Sequence, residues 1–454
     1  MQAIFAQHAL LGSDWCQDVR VSLEGPCIGA IEVKTTPRPG DEQVDTLLPA
    51  LANLHSHSFQ RAIAGMTETR AAGRDSFWTW REMMYRFVTH LTPEHYEAIA
   101  ALVFLEMQEA GYASVGEFHY VHHQPDGTPY DAVSELSQRV FAAAAQTGIG
   151  LTHLPVLYSY GGAQRAELGA GQKRFGNDVG AYLELVADAR QASRALPADT
   201  RVGIAPHSLR ATCPGGLAEL LAGREAQPIH IHIAEQIKEV EDIRLWLGET
   251  PVAWLLQNAP VDDTWCLIHA THMTEAETID LARSGAVAGL CPITEANLGD
   301  GPFNGPAYVQ SGGRFGIGSD SNVCISLTEE LRALEYSQRL RDHSRNVMVS
   351  GEGSVGANLY LSAATGGAQA LGRDSGEIRT GKLADLVAID RTDPALLALS
   401  DEQLLDGLCF AAKDRVVTDL WSAGRHQVRA GRHIARDAIL TNYKTTIARL
   451  VEMI

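Results

Sequence analysis

The amino-acid sequence predicts an α/β protein, a (β/α)8 TIM barrel with a second, smaller β-sandwich domain formed by both chain termini. Three observations predict it. Eight short β-branched runs alternate with longer amphipathic segments, the pattern of a parallel sheet with crossover helices. The polar residues of those runs gather at their C-terminal ends, which in such a barrel all meet at one mouth. The flanks instead alternate over short spans and are turn-rich, as antiparallel strands are.

The eight runs are LLPALANLHSH, YASVGEFHY, LTHLPVLY, VGIAPHS, PIHIHIAE, WCLIHAT, AVAGLCP and FGIGSDS. Helical patterns such as TPEHYEAIAALVFLEMQEAG and LTEELRALEYSQRL separate them. In the first of these helices Thr92 is the expected N-cap, Pro93 occupies the first helical position and Gly111 stops the helix. The flanking stretches DVRVSLEGPCIGAIEV, GKLADLVAID and VVTDLWSAGRHQVRAGRH are each too short to bury a core alone. Residues 1–49 and 373–454 are therefore expected to pair into one β-sandwich, with a C-terminal helix, around a barrel spanning residues 50–372.

The length of 454 residues exceeds one typical core, and 45% hydrophobic with 20% charged residues is a globular composition. No apolar run of about 18 residues exists to span a bilayer. The start, MQAIFAQHALLGSDW, lacks a basic n-region and cleavage pattern, so a cytoplasmic location is expected. Seven cysteines scattered without a C-x-x-C pair read as reduced, mostly buried thiols. A formal charge of −18 disfavours nucleic acid and anionic membranes as partners. It leaves room for an acidic small-molecule substrate, because a few arginines desolvated in a pocket outweigh a distant negative surface.

His55 and His57 end the first run with a spacing that puts both imidazoles on one face of a strand. Alone, that pair also describes two solvated strand-end histidines. Beyond it lie His119 and Tyr120, His207, His232 and Glu235, His269 and Asp320, each at the end of a later run. Three neutral imidazoles and a carboxylate, His55, His57, His232 and Asp320, make a site for one divalent metal ion, with Zn2+ the first choice. His230 shares a strand face with His232 and is read as a buried, hydrogen-bonded residue of the barrel lining rather than a ligand.

The H-x-H after strand one, H-x-x-E after strand five, lone His after strand six and Asp in GIGSD after strand eight resemble the amidohydrolase superfamily. APHS after strand four and CP after strand seven match its mononuclear deaminase branch, and the resemblance extends to GKLADLVAID. Binuclear branches place a lysine after strand four, whereas VGIAPHSLR has none, which implies a single metal. The resemblance further implies that Asp320 accepts the proton of the attacking water. His269 would hold the nucleophile by hydrogen bond and Glu235 protonate the departing nitrogen. The plainer reading of Glu235 is an exposed first-turn acid that favours the helix dipole.

Departures from the branch's pattern narrow the substrate. FWTWREMMY brings Arg81, Arg210 follows the Pro-His pair, and GLCPITEANLGDG lacks both the histidine before Cys-Pro and the Ser-Asn after it. Together NLHSHSFQRAIAG, FWTWRE and CPITEANLGDG resemble the formimidoylglutamate deiminase family, which implies hydrolysis of N-formimidoyl-L-glutamate to N-formyl-L-glutamate and ammonia in histidine degradation. The matching substrate positions are Gln60, Arg81, Tyr120, His207 and Arg210. Arginine suits a carboxylate because its fork pairs with two oxygens at once. The alternatives are a deaminase or chlorohydrolase of a heteroaromatic ring, an imidazolonepropionase, or a non-catalytic assembly protein on the same fold. Retention of all the ligand positions speaks against the last. A homodimer is an option the resemblance leaves open.

Overall fold

The computed structural model describes residues 2–69, 77–222 and 227–453, apart from the side chains of Phe77 and Trp78 in the FWTWRE motif. Four strands open the chain, β1 (Ala3–Leu11), β2 (Asp14–Glu24), β3 (Cys27–Glu32) and β4 (Glu42–Pro49). The barrel strands follow: β5 (Leu51–Ser56), β6 (Tyr112–His119), β7 (Gly150–Leu157), β8 (Arg201–Val202), β9 (Ala205–Pro206), β10 (Ile229–Ile233), β11 (Trp265–His269), β12 (Val287–Leu290) and β13 (Arg314–Ile317). β8 and β9 are the two halves of the VGIAPHS run, and both pair with β7. The chain ends with β14 (Leu386–Ile389), β15 (Val417–Ser422), β16 (Arg425–Arg429), β17 (Arg432–His433) and the helix Arg436–Val451.

The barrel is assembled from two parallel arcs, β5 to β8 and β10 to β13. Single bridges join them at both seams, Ser56 to Asp320 on one side, Ile204 to Ile229 and Ser208 to His232 on the other. At the first seam the Asp320 N–H donates to the His55 carbonyl and the His57 N–H to the Asp320 carbonyl, each at 2.9 Å. At the second, the His232 N–H donates to the His207 carbonyl at 2.9 Å. Gly318 permits the first closure: a Cβ there would stand 2.8 Å from both the N and the O of His55. The helix α2 (Pro93–Ala110) begins and ends as its sequence dictates, with Thr92 accepting from the His95 N–H and Gly111 in the left-handed region at φ 106°.

Strands from both ends of the chain form one eight-stranded sheet in the order β17-β16-β15-β14-β4-β1-β2-β3. β14 runs antiparallel to β4, with Leu386 opposite Pro49 and Ile389 opposite Thr46. Ile4, Val19, Val21 and Leu47 from the N-terminal strands bury a common core with Leu386 and Trp421 from the C-terminal ones. The two ends of the chain thus share one core.

A buried ion-pair network fastens this sheet to the barrel. Arg373, whose side chain is fully buried, reaches Asp199 at 3.2 Å and Asp385 at 3.0 Å, and Arg425 closes on Asp199 at 2.8 Å. Asp199 lies just before β8, whereas Asp385 immediately precedes β14 and accepts the Ala423 N–H at 2.7 Å. Breaking such a pair leaves a buried carboxylate without its cation. Arg373→Met should lower unfolding stability by about 3 kcal/mol or more in a denaturant titration; a change below about 1 kcal/mol would remove the network from this role.

Candidate active site

The strand-end residues converge at the C-terminal mouth of the barrel. His57 Nδ1 lies 2.9 Å from the Phe118 carbonyl and His232 Nδ1 lies 3.1 Å from the His207 carbonyl. A carbonyl only accepts, so both Nδ1 atoms carry hydrogen and both Nε2 atoms present lone pairs. His55 Nε2 is 3.2 Å from the Nε2 of His57, 3.1 Å from that of His232 and 3.5 Å from Asp320 Oδ1. Asp320 Oδ1 is in turn 3.2 Å from His57 Nε2. One proton on His55 cannot serve three acceptors. Burial pushes the His55 imidazole down to about 3 and holds His232 well below the usual histidine range, which keeps the rings in the neutral form that ligates metals. Ligand atoms arranged tetrahedrally at about 2.0–2.1 Å from a zinc ion stand roughly 3.3–3.4 Å apart, and these spacings fit that figure. His55, His57, His232 and Asp320 thus form a buried group able to hold a metal ion.

Two further acids and one histidine face this group. His269 Nε2 is 3.8 Å from Asp320 Oδ2 and 3.9 Å from Glu235 Oε1, and its Nδ1 is 3.2 Å from Glu295 Oε1. Burial opposes charge on His269, but these three carboxylates outweigh it and push its pKa up to about 10. Glu235 is buried, not the exposed helix acid of the plainer reading, and burial raises its pKa despite the nearby His269 and Arg210. Arg210 Nη2 stands 3.5 Å from Glu235 Oε2, and its Nε 3.7 Å from Glu239 Oε2. Glu239 also accepts the backbone N–H groups of Ala234 and Glu235 at 3.3 and 3.1 Å, and so fixes the turn that carries Glu235.

The backbone leaves the regular ladder where these side chains sit. Ala234, His269 and Asp320 have φ of 51°, 69° and 45°, and non-glycine residues adopt this left-handed region only at a cost. The exits redirect the chain at the barrel mouth, where the polar side chains meet.

A cleft opens above the group. Gln60, Arg81, Tyr120, His207 and Arg210 all line it, together with His57, His232, Glu235, His269 and Asp320. His55 lies behind the lining and is completely buried. Gln60 Nε2 donates to Tyr120 Oη at 2.7 Å, while the buried Gln60 Oε1 finds no hydrogen-bond partner among the described residues. Arg81 projects from the helix α1 (Phe77–Val88), with its guanidinium carbon 5.4 Å from the centre of the Tyr85 ring. His207 Nδ1 pairs with Ser208 Oγ at 2.9 Å. Two barrel-strand histidines stay outside the cleft: His119 Nδ1 meets Tyr96 Oη at 3.0 Å, and His230 Nε2 meets the Ala370 carbonyl at 2.8 Å.

Several neighbours of the site escaped the sequence reading. Glu239 follows Glu235 by four residues, a spacing that signals two acids on one helical approach. Glu295 lies within ITEAN, a stretch that reads only as the loss of Ser-Asn. Tyr85, Tyr158 and Phe175 form an aromatic wall from three separate segments, so no local spacing announces them.

The fold and this donor set define a metal-dependent hydrolase. The amidohydrolase family model matches residues 46–426, and the chain belongs to that family. Residues 1–45 match the N-terminal domain of formimidoylglutamate deiminase HutF. The chain is 47% identical to a formimidoylglutamate deiminase of Pseudomonas aeruginosa over 100% of both chains. It is 27% identical to a 5-methylthioadenosine/S-adenosylhomocysteine deaminase of Natronomonas pharaonis, covering 88% of this chain and 84% of that one. The crystal structure of an amidohydrolase from Brucella melitensis superposes with a TM-score of 0.94 at 45% identity, covering 99% of this chain and 100% of that one. An adenosine deaminase from Xanthomonas campestris with bound zinc shares the fold, with a TM-score of 0.81 at 21% identity and coverage of 99% and 98%. Among the described residues no helix is long and apolar enough to cross a membrane.

A ligand that binds only the folded state raises the melting temperature by mass action. Zinc added to chelator-treated protein should therefore raise Tm by several degrees, and His232→Ala should abolish the rise. An equal rise in the variant would place the binding elsewhere.

Proposed function

We propose that this chain hydrolyses N-formimidoyl-L-glutamate to N-formyl-L-glutamate and ammonia, using one divalent ion held by His55, His57, His232 and Asp320. The full-length 47% identity to the Pseudomonas aeruginosa enzyme supports the reaction. The observation that carries it at the level of the site is the pairing, in one cleft, of the buried metal-binding group with two guanidiniums, Arg81 and Arg210. A neutral ring would offer these guanidiniums no anionic partner of its own. The dicarboxylate tail of a glutamate derivative offers two.

A divalent ion at this position, zinc by the nature of the donors, supplies Lewis-acid activation of a water at neutral pH. The protein's own groups do the rest. Asp320 takes a proton from the attacking water, and His269 orients that water through Nε2. Water oxygen bonds to the formimidoyl carbon, and the bond to the terminal nitrogen breaks. Glu235, kept protonated more readily by its burial, gives its proton to this nitrogen and takes back the remaining proton of the water oxygen as the carbonyl forms, while the proton held by Asp320 passes to the nitrogen, which leaves as ammonia. The amide nitrogen of the glutamate keeps its bond, so the other product is the N-formyl compound.

Arg210 has five N–H donors, enough to face Glu235 and Glu239 from one edge and a substrate carboxylate from another. Arg81 takes the second carboxylate. Gln60 Oε1, buried without a partner, suits a substrate N–H, and Tyr120 and His207 complete the polar contacts. Held by its remote tail, the substrate carbon is positioned over the reacting water, so binding energy is spent on the chemical step.

Glu235→Gln should retain about one metal per chain and lose 10²- to 10⁴-fold in kcat, the usual worth of general acid–base assistance. Near-normal turnover would remove Glu235 from proton transfer. Arg210→Met should cost at least about 2 kcal/mol in kcat/KM, because a buried carboxylate loses its partner. Formamidine, which lacks the tail, should be a very poor substrate. Release of ammonia from formamidine or a nucleobase as efficiently as from N-formimidoyl-L-glutamate would overturn the assignment.

A further inference from the structure

Glu295 has no part in the steps above, yet its carboxylate is built into the site. It belongs to the short helix Pro292–Leu298 that follows β12, and it is only 5% exposed. Its Oε1 is engaged twice, by the Cys291 backbone N–H at 2.9 Å and by His269 Nδ1 at 3.2 Å. The first bond ties the carboxylate to the residue that precedes its own helix, so its position is set independently of His269. The second reaches across to the end of the neighbouring strand β11.

His269 needs such a restraint. Its φ of 69° and the φ of 47° at Ala270 place the ring on a left-handed bend at the last paired residue of the strand, opposite Ile233. The opposite edge of the imidazole, Nε2, faces Asp320 Oδ2 at 3.8 Å and Glu235 Oε1 at 3.9 Å. A half-turn of the ring would take a carbon to Glu295 and break the bond. An ionised carboxylate only accepts, so the contact at Oε1 requires hydrogen on Nδ1. A carboxylate behind a site histidine fixes its orientation, a device familiar from metal sites.

We propose that Glu295 is a positioning residue for the hydrolysis: by accepting the Nδ1–H of His269 it holds Nε2 toward the water that attacks between Asp320 and Glu235. The identity of the reaction rests on the reading given under Proposed function; the arrangement of the ring does not.

The test uses the metal-loaded, full-length protein. Glu295→Gln keeps an acceptor oxygen at the same reach, whereas Glu295→Met keeps the length and removes it. Glu295→Met should lower kcat about 10- to 100-fold, with KM and metal content within about twofold of wild type, and Glu295→Gln should recover most of the loss. In a His269→Ala background Glu295→Met should add less than about twofold, because the two residues act as one unit. Losses that multiply in the double variant, or a parallel rise in KM with loss of metal, would reduce Glu295 to a structural brace and overturn the proposal. A second measurement needs neither turnover nor a Glu295 variant. In ¹⁵N-histidine-labelled wild-type protein, with the His269 signals assigned by their loss in His269→Asn, the Nδ1 proton should lie far downfield and exchange slowly, as a proton bonded to a buried carboxylate does; an Nδ1 proton that is absent or exchanges freely with solvent would overturn the proposal. Absence of ammonia release by wild type would instead defeat the assigned reaction, and the NMR arm would still decide the role of Glu295.

Discussion

The closure of β13 against β5 is the constraint on which the site depends. Two backbone hydrogen bonds between Asp320 and the His55–His57 segment, each 2.9 Å, lock the carboxylate to the histidine pair before any ion is considered. Gly318 lets the two backbones approach that closely. Because the second seam joins His232 to His207 in the same manner, each seam delivers donors to one point. The donor atoms are therefore preorganised, and their mutual repulsion as converging lone pairs is the cost that a cation relieves.

Charge within the cleft is arranged against the charge of the whole chain. The protein carries a formal −18, and four carboxylates, Glu235, Glu239, Glu295 and Asp320, crowd the mouth of the barrel. A dicarboxylate would be repelled from such a place without local compensation. Arg210 provides it at close range, buried beside Glu235 and Glu239, where a low dielectric strengthens each pairing. The same guanidinium stabilises the ionised form of Glu235, while burial favours its protonated form, so the acid sits between opposing influences.

The terminal sheet contributes from the other end of the barrel. Its strands come from both ends of the chain, and the Arg373–Asp199–Asp385–Arg425 network joins it to the loop before β8. That loop leads into the fourth barrel strand, whose end carries His207 and Arg210. Support of the sheet thus reaches the substrate cleft through the frame of the barrel rather than by contact with it.

By itself the sequence determined the alternation of strands and helices, the caps of α2, the H-x-H pair and the strand-end positions of His232, Glu235, His269 and Asp320. Local periodicity and terminal residues carry that information, because a strand's faces and a helix's ends are decided within a few residues. Which histidines meet was decided by the tertiary structure. His119 also ends a barrel strand, yet its ring turns to Tyr96, because the depth and stagger of each strand, invisible in its own spacing, set where its side chains project. The aromatic wall of Tyr85, Tyr158 and Phe175 and the carboxylates of Glu239 and Glu295 belong to the same class. Their roles arise from turns and helix starts brought together by ring closure, and a one-dimensional pattern holds no record of contacts made between elements many residues apart.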